Sequence, residues 1–536
     1  MAVPVRYITA DELFGRVEEV ALAAPSPTAE LNRILHEALV MACAEGLRGT
    51  NFRFGNLSSE VDALCKRHHI KPKDRIDIQQ MRRHSNTSQP LTTTGLLYDC
   101  RALSLFISAV FGVDVPSSLA VRIPHNSPND ATPPPTHHSS SPWGKSEGVD
   151  GKGSKLTYLR CTVESWDDET LRVATHQDEA TRWFTVDYVH TPEYIDLTYL
   201  RSILREGMQI NLLDSTIAGG CLVPQLIVVE PDYLLDISVL AGCFEDYGHH
   251  PLQYVVSRMK ARANTRHILL GNFAGDALDD IINQPSSAHQ LTATMRRNFQ
   301  EKALEFVTCP DFNPQAFKED ATRQVENIRQ AVDDIFAKDY RREEALLEPS
   351  FVSECLGLQG RVDLMTQDMR LLVEQKAGRN IFIERHTRSR YGSVHVEKHY
   401  VQALLYYAVM EYNFQKPRRQ TDIRLLYSRY PLPDGMIGVE NLQKLFREAI
   451  RLRNLIVAQE FDIALGGFGP YLDQLQPEVL NTEGLDGFYY RAYLLPTLEQ
   501  TLSPLHQLSP LERSYFSRMM TFVAREQLLA KVGVAG

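Results

Sequence analysis

Two carboxylates and a lysine set the chemistry that this sequence can offer. Asp363 closes the stretch Gly357-Leu358-Gln359-Gly360-Arg361-Val362-Asp363, and Glu374-Gln375-Lys376 closes a second apolar run that begins at Leu371. Carboxylates held side by side repel unless a cation lies between them. An all-oxygen ligand set suits a hard ion such as Mg²⁺ or Mn²⁺. An ammonium group two residues beyond Glu374 could hold a water or stabilise charge on a phosphorane-like centre.

A β-hairpin would bring these groups together. Both arms are apolar and β-branched, and Thr366-Gln367-Asp368-Met369 reads as a four-residue loop. With Met365 paired to Arg370, Asp363 falls opposite Leu372. Alternation then puts Leu372, Glu374 and Lys376 on one face, with Asp363 beside them. The other reading of this pattern is a hairpin carrying surface charges. The helical stretch His399 to Met410 follows, and in it Gln402 and Tyr406, four apart, share a face with His399. Polar groups on an otherwise apolar helix need partners, and the wall of an active site would supply them. Between hairpin and helix, Lys376, Arg379, Arg385, Arg388, Arg390 and Lys398 face only Glu384 and Glu397, with Tyr391 among them. Such a segment is either a solvated loop or a place to hold a phosphate backbone.

At 536 residues the chain exceeds one ordinary domain. Residues 1–122 are mostly of helical periodicity, with polar clusters at Arg67-His68-His69 and Met81-Arg82-Arg83-His84. Residues 123–154 are rich in Pro, Ser and Gly and read as a linker. Residues 155–232 carry short strand candidates around one helical turn at Leu197–Leu204, which suits a small closed barrel of OB type. Residues 233–500 hold the hairpin and long amphipathic helices, and 501–536 end in a helix from Pro510 to Gly533. The expected class is therefore α/β.

Composition removes several function classes. Net charge is −10, which argues against a generally basic nucleic-acid coat but leaves room for a local basic channel. The sequence contains no apolar run that reads as a membrane span and no basic-then-apolar leader, so no membrane partner is expected. The eight cysteines are never closer than 22 residues, which excludes zinc-ligand spacing and fits isolated thiols in a reducing cytoplasm. The Gly144-Lys145 and Gly151-Lys152 pairs lack the leading glycine and strand of a phosphate loop, so no nucleotide site is expected.

Taken together, Gly360-x-x-Asp363, Glu374-x-Lys376 and Gln402-x-x-x-Tyr406 resemble the motifs of the PD-(D/E)xK nuclease superfamily in its RecB-type branch. Within that branch the chain is most similar to the nuclease half of bifunctional nuclease–helicases that trim flaps and resect ends in DNA replication and repair. Glu348, Leu425-Leu426-Tyr427-Ser428 and Pro231-Asp232-Tyr233-Leu234 match further family segments. The resemblance covers roughly residues 155 to 536 and nothing in 1–122.

It implies a restriction-endonuclease-like core behind an OB barrel. It also implies a metal-dependent deoxyribonuclease for single-stranded or flapped DNA in replication, repair or phage defence, working with a helicase in cis or in trans. If the chain is bacterial, it would be nucleoid-associated within the cytoplasm. Asp363, Glu374 and the Gln375 carbonyl would bind Mg²⁺ or Mn²⁺, with Asp276 and Glu348 as further ligand candidates. Lys376 would orient or deprotonate water, and Gln402 and Tyr406 would contact lysine, water or DNA. Arg379, Arg385, Arg388, Arg390, Tyr391 and His399 would hold the strand.

Two family features are missing. The histidine expected on the helix before the hairpin is replaced within Gly271-Asn272-Phe273-Ala274-Gly275. No cysteine follows Cys355, so no iron–sulfur cluster is expected. The competing reading is a non-catalytic nucleic-acid-binding scaffold with a degenerate nuclease fold.

Overall fold

The architecture comes from a computed structural model that describes residues 8–50, 53–84, 90–127, 155–175, 181–260, 264–283, 290–417 and 420–533. Most of the expected linker, from 128 to 154, and both Gly-Lys pairs lie outside them. By contact the chain divides into two units. The first combines the N-terminal helices with residues 380–395 and 430–440, and the second holds the rest. The range 233–500 is therefore not continuous in this division.

In the N-terminal part of the first unit, the described residues form helices Ala10–Ala23, Ala29–Gly46, Leu57–Arg67, Pro72–His84, Thr93–Phe111 and Ser117–Ala120. Their starts are written in the sequence. Thr9 and Glu12 form a reciprocal capping box, Asn56 accepts from the Ser59 amide, and Thr92 accepts from that of Gly95. Leu13, Val17, Leu35, Leu39, Leu64, Ile78 and Phe106 fill the core. Thr93–Phe111 is, among the described residues, the one helix long and apolar enough to cross a membrane. It lies in the helical core, where Asp99 binds His84 at 2.9 Å and Arg101 binds Asp77 at 3.0 Å. Arg53–Phe54 adds a short parallel pairing to Met436–Gly438.

The second unit begins with a small closed barrel of five strands: Lys155–Trp166, Thr170–Thr175, Arg182–Asp187, Gln209–Ala218 and Cys221–Val223. The ring runs first, second, third, fifth, fourth and back to first, with the third and fifth strands parallel. The 3₁₀ turn Thr198–Ser202 sits between the third and fourth strands. The run from Cys221 to Val229 is two strands, because Pro224 has no N–H for the ladder; Cys221–Val223 and Leu226–Val229 pair with the same edge of the fourth strand in one antiparallel register.

Beyond the barrel lie two sheets. Ala345–Leu347, Leu364–Thr366, Leu371–Lys376 and Asp422–Tyr427 form one in that order, the last pair parallel. Ser350–Ser353, Leu358–Arg361 and Leu235–Asp236 form the other. The expected first arm of the hairpin is thus two strands in two sheets, broken at Val362-Asp363. Helices Arg266–Asn283, Pro314–Lys338, Glu397–Phe414 and Gln443–Gly466 provide much of the surrounding core.

One buried cation ties these parts together. Arg453, with no exposed surface, donates to the carbonyls of Val229, Glu230, Tyr233 and Gly357. Gly357 has φ +62, and a Cβ there would overlap the guanidinium. Arg453→Met would remove the guanidinium's bonds to four buried carbonyls, of which those of Gly357 and Glu230 keep backbone donors, in Leu235 and Tyr233, so it is expected to cost about 3 kcal/mol or more, read as a lower urea midpoint at unchanged slope.

Candidate active site on the broken hairpin

The hairpin register differs from expectation by two residues. Met365 lies opposite Leu372, and Leu364 opposite Val373, so Asp363 comes level with Glu374 rather than Leu372. Thr366 is responsible. Its hydroxyl donates to Asp368 and accepts from the Leu371 amide, which draws it into the strand and moves the loop to Gln367–Arg370. A shift of two keeps every side chain on its face. Asp363, Glu374 and Lys376 therefore still share one side.

Each of these groups is held from several directions. Asp363 Oδ2 accepts from the Gln375 amide at 2.6 Å. Glu374, 4% exposed, uses one carboxylate oxygen for two bonds: Lys376 Nζ at 2.8 Å and Gln402 Nε2 at 2.7 Å. Gln402 Oε1 in turn accepts from Lys376 at 2.9 Å. Tyr406, one turn beyond Gln402, donates its hydroxyl to the Arg361 carbonyl at 2.6 Å, where the chain leaves one sheet for the other. The second oxygen of Glu374 has no hydrogen-bond partner although it is buried. A buried, unmatched carboxylate oxygen beside a second carboxylate is what a cation would satisfy.

Electrostatics say the same. Burial pushes the Glu374 carboxyl up to about 7, with Lys376 opposing and Asp363 adding to the rise. Burial also raises Asp363, against the Gln375 amide and Lys376. Asp279, which no motif singled out, belongs with them. Burial and then the charges of Glu348, Asp276 and Asp363 push it up to about 6. It sits one helical turn beyond Gly275, where a Cβ would meet nothing within 4 Å. Asp276 itself is paired with Lys302 at 2.8 Å. Glu348 is paired with Arg361 at 2.9 Å, and its amide donates to the Asp363 carbonyl. The i, i+4 step from Gly275 could have flagged Asp279; nothing in the sequence flags Ser238, which accepts from Gln402 at 3.0 Å.

Among the described residues no three Asp, Glu, His or Cys side chains form a closed metal cage. Two carboxylates, a peptide carbonyl and water are what Mg²⁺ commonly takes. The Gln375 carbonyl is anchored beside them, since that residue's amide binds Asp363 and its side chain binds Ser428.

The six strand-holding residues do not stay together. Arg379 and His399 belong to the second unit, and His399 Nδ1 meets the hydroxyl of Tyr427, the cross-strand neighbour of Lys376, at 3.1 Å. Arg385, Arg388, Arg390 and Tyr391 belong to the first. There Asn380 caps the short helix Ile381–Glu384 and binds the Val394 carbonyl, which folds the segment back on itself. Arg388 is spent on the carbonyls of Gly55 and Gly392, a structural task, and Arg390 lies over the Tyr391 ring.

Comparison with protein-family models, with curated proteins and with solved structures returned no match.

A carboxyl whose folded value lies above its unfolded value is a cost once it ionises. Metal-free protein should therefore lose stability as pH rises from about 4.5 toward the value of about 7 set for Glu374. Glu374→Gln in EDTA at pH 8 should melt higher than wild type, by an amount on the order of a few kcal/mol. Added Mn²⁺ should raise the wild-type melting point and leave that of the variant unchanged.

Proposed function

We propose that this chain is a metal-dependent DNA nuclease that hydrolyses phosphodiester bonds in single-stranded or flapped DNA. One observation carries the reading: buried Glu374 keeps one oxygen on Lys376 and Gln402 and leaves the other without a partner, level with Asp363. Asp363, Glu374 and the Gln375 carbonyl would hold Mg²⁺ or Mn²⁺, with Asp279 the nearest additional carboxylate candidate. The ion supplies Lewis-acid stabilisation of charge on the scissile phosphate.

The chain's own groups do the rest. Lys376 Nζ, fixed between Glu374 and Gln402, is positioned to orient a water and to hold or release a proton at that nitrogen. Its side chain is 20% exposed, so it borders solvent while Glu374 does not. Gln402 keeps the ammonium and the carboxylate in register, and Tyr406 fixes the carbonyl end of the broken arm. These positions match the family motifs residue by residue, which supports hydrolysis over a purely binding role.

The barrel's ring order, with its parallel closing pair, fits an OB-type fold, and such barrels commonly bind single strands. Coupling to a helicase, in this polypeptide or another, follows from the same resemblance.

The test is cleavage of end-labelled single-stranded, flapped and duplex DNA with Mg²⁺, Mn²⁺ or EDTA. Wild type should cut single strands or flaps only with metal. Lys376→Ala should lose at least about a hundredfold in rate while still folded, as judged by circular dichroism at the assay temperature. Equal rates would remove the assignment, and binding without cleavage would favour the scaffold reading.

A further inference from the structure

The polar clusters around His68-His69 and Arg82-Arg83 play no part in that site. They fall on two helices of the first unit, Leu57–Arg67 and Pro72–His84, joined by the four residues 68–71. We propose that this corner is a nucleic-acid surface that takes double-stranded DNA, holding its phosphates and entering its major groove. The proposal does not depend on the cleavage reading.

Charge is the first argument. Residues 66 to 83 hold seven Lys or Arg against two carboxylates, Asp74 and Asp77, in a chain of net charge −10. How these charges are distributed is the second. Both acids turn inward onto Arg101, at 3.1 and 3.0 Å, and Asp77 also takes the Ser127 hydroxyl at 2.7 Å. Asp62, on the preceding helix, is matched by Lys66 and Arg75. Glu440, bonded to the Ser58 and Ser59 hydroxyls, lies near Arg82 and Lys66, so these carboxylates are answered from within the unit.

The outward side of Pro72–His84 is different. Lys73, Ile76, Gln80 and Arg83 are exposed and recur at three- and four-residue steps, so they form one face. No acid interrupts it. Exposed Arg67, His69 and Lys71 extend the same positive character across the connection. A face that was merely solvated would intersperse acids for i, i+4 pairing.

Shape and composition choose the partner. A 13-residue helix is about 20 Å long and is a size that the major groove admits. Its Gln and Arg can meet base edges, its Ile a thymine methyl, and the basic connection the backbone. Single strands call for exposed aromatic rings to stack upon. Among the described residues of this unit, the strongly exposed large apolar side chains include no Phe, Tyr or Trp.

The test uses the full chain in EDTA, so that nothing is cut. Fluorescence anisotropy would follow a labelled 20-bp duplex and a 20-nucleotide single strand across 50–200 mM salt, a design suited to a backbone-binding surface. Lys71→Glu with Arg83→Glu should weaken duplex binding at least about tenfold and flatten the log–log salt slope by about 2. Single-strand affinity should move less than about twofold on the same logic. If melting shows that the double variant is misfolded, Lys71→Gln with Arg83→Gln replaces it, with the same slope change expected. Three results would overturn the proposal: wild type that fails to bind duplex at low salt, duplex affinity unmoved in a folded variant, or duplex and single-strand affinities falling together.

Discussion

A carboxylate taken out of water must be answered by something, and at Glu374 only half of it is. One oxygen is bound twice, by the ammonium of Lys376 and the amide of Gln402; the other is enclosed with nothing to accept from. Asp363 stands level with it across the strands, and Asp279 and Glu348 add their charges from the neighbouring helix and turn. Removing any one charge would relieve the others, and so would adding a cation. The first would be a simpler way to build a stable core. That the whole set stands around a lysine is why the arrangement reads as a site and not as a packing accident.

The surrounding fold keeps this unfavourable group in place. Asp363 lies where the chain steps from one sheet to another, and both ends of that step are fastened: the Arg361 carbonyl by Tyr406, and Asp363 itself by the Gln375 amide. Further out, Arg453 gathers four carbonyls from the end of the barrel and from the turn at Gly357, the start of the broken arm. The buried guanidinium therefore fixes the barrel's exit and the approach to Asp363 relative to each other. A carboxylate with a raised proton affinity is held ready at a cost to stability, which the packing around Arg453 and the buried Glu397–Phe414 helix offsets.

Much of this was legible in the sequence where local rules govern. Alternation and turn residues gave the hairpin, and helical spacing put Gln402 and Tyr406 on one wall. The register was misjudged by two because a threonine side chain, not a backbone turn preference, closes the loop. The break at Val362-Asp363 has no local signature; it exists because two sheets compete for the same arm. The break at Pro224 was passed over, although its missing N–H is a local reason for the last barrel strand to be interrupted there. The basic segment after Lys376 looked continuous, yet Arg385 to Tyr391 falls in the unit of the N-terminal helices, where Arg388 binds the Gly55 carbonyl, which only tertiary contacts decide. Asp279 was overlooked in favour of Asp276, whose charge the structure gives to Lys302.

In the proposed site a divalent ion satisfies the unmatched oxygen of Glu374 together with Asp363. Anomalous diffraction from a crystal soaked in Mn²⁺ tests it most directly. A manganese peak is expected between the two carboxylates at about 2.0–2.3 Å from an oxygen of each. Glu374 and Asp363 bound only to Lys376, Gln402 and the Gln375 amide, with no peak between them at saturating Mn²⁺, would contradict it.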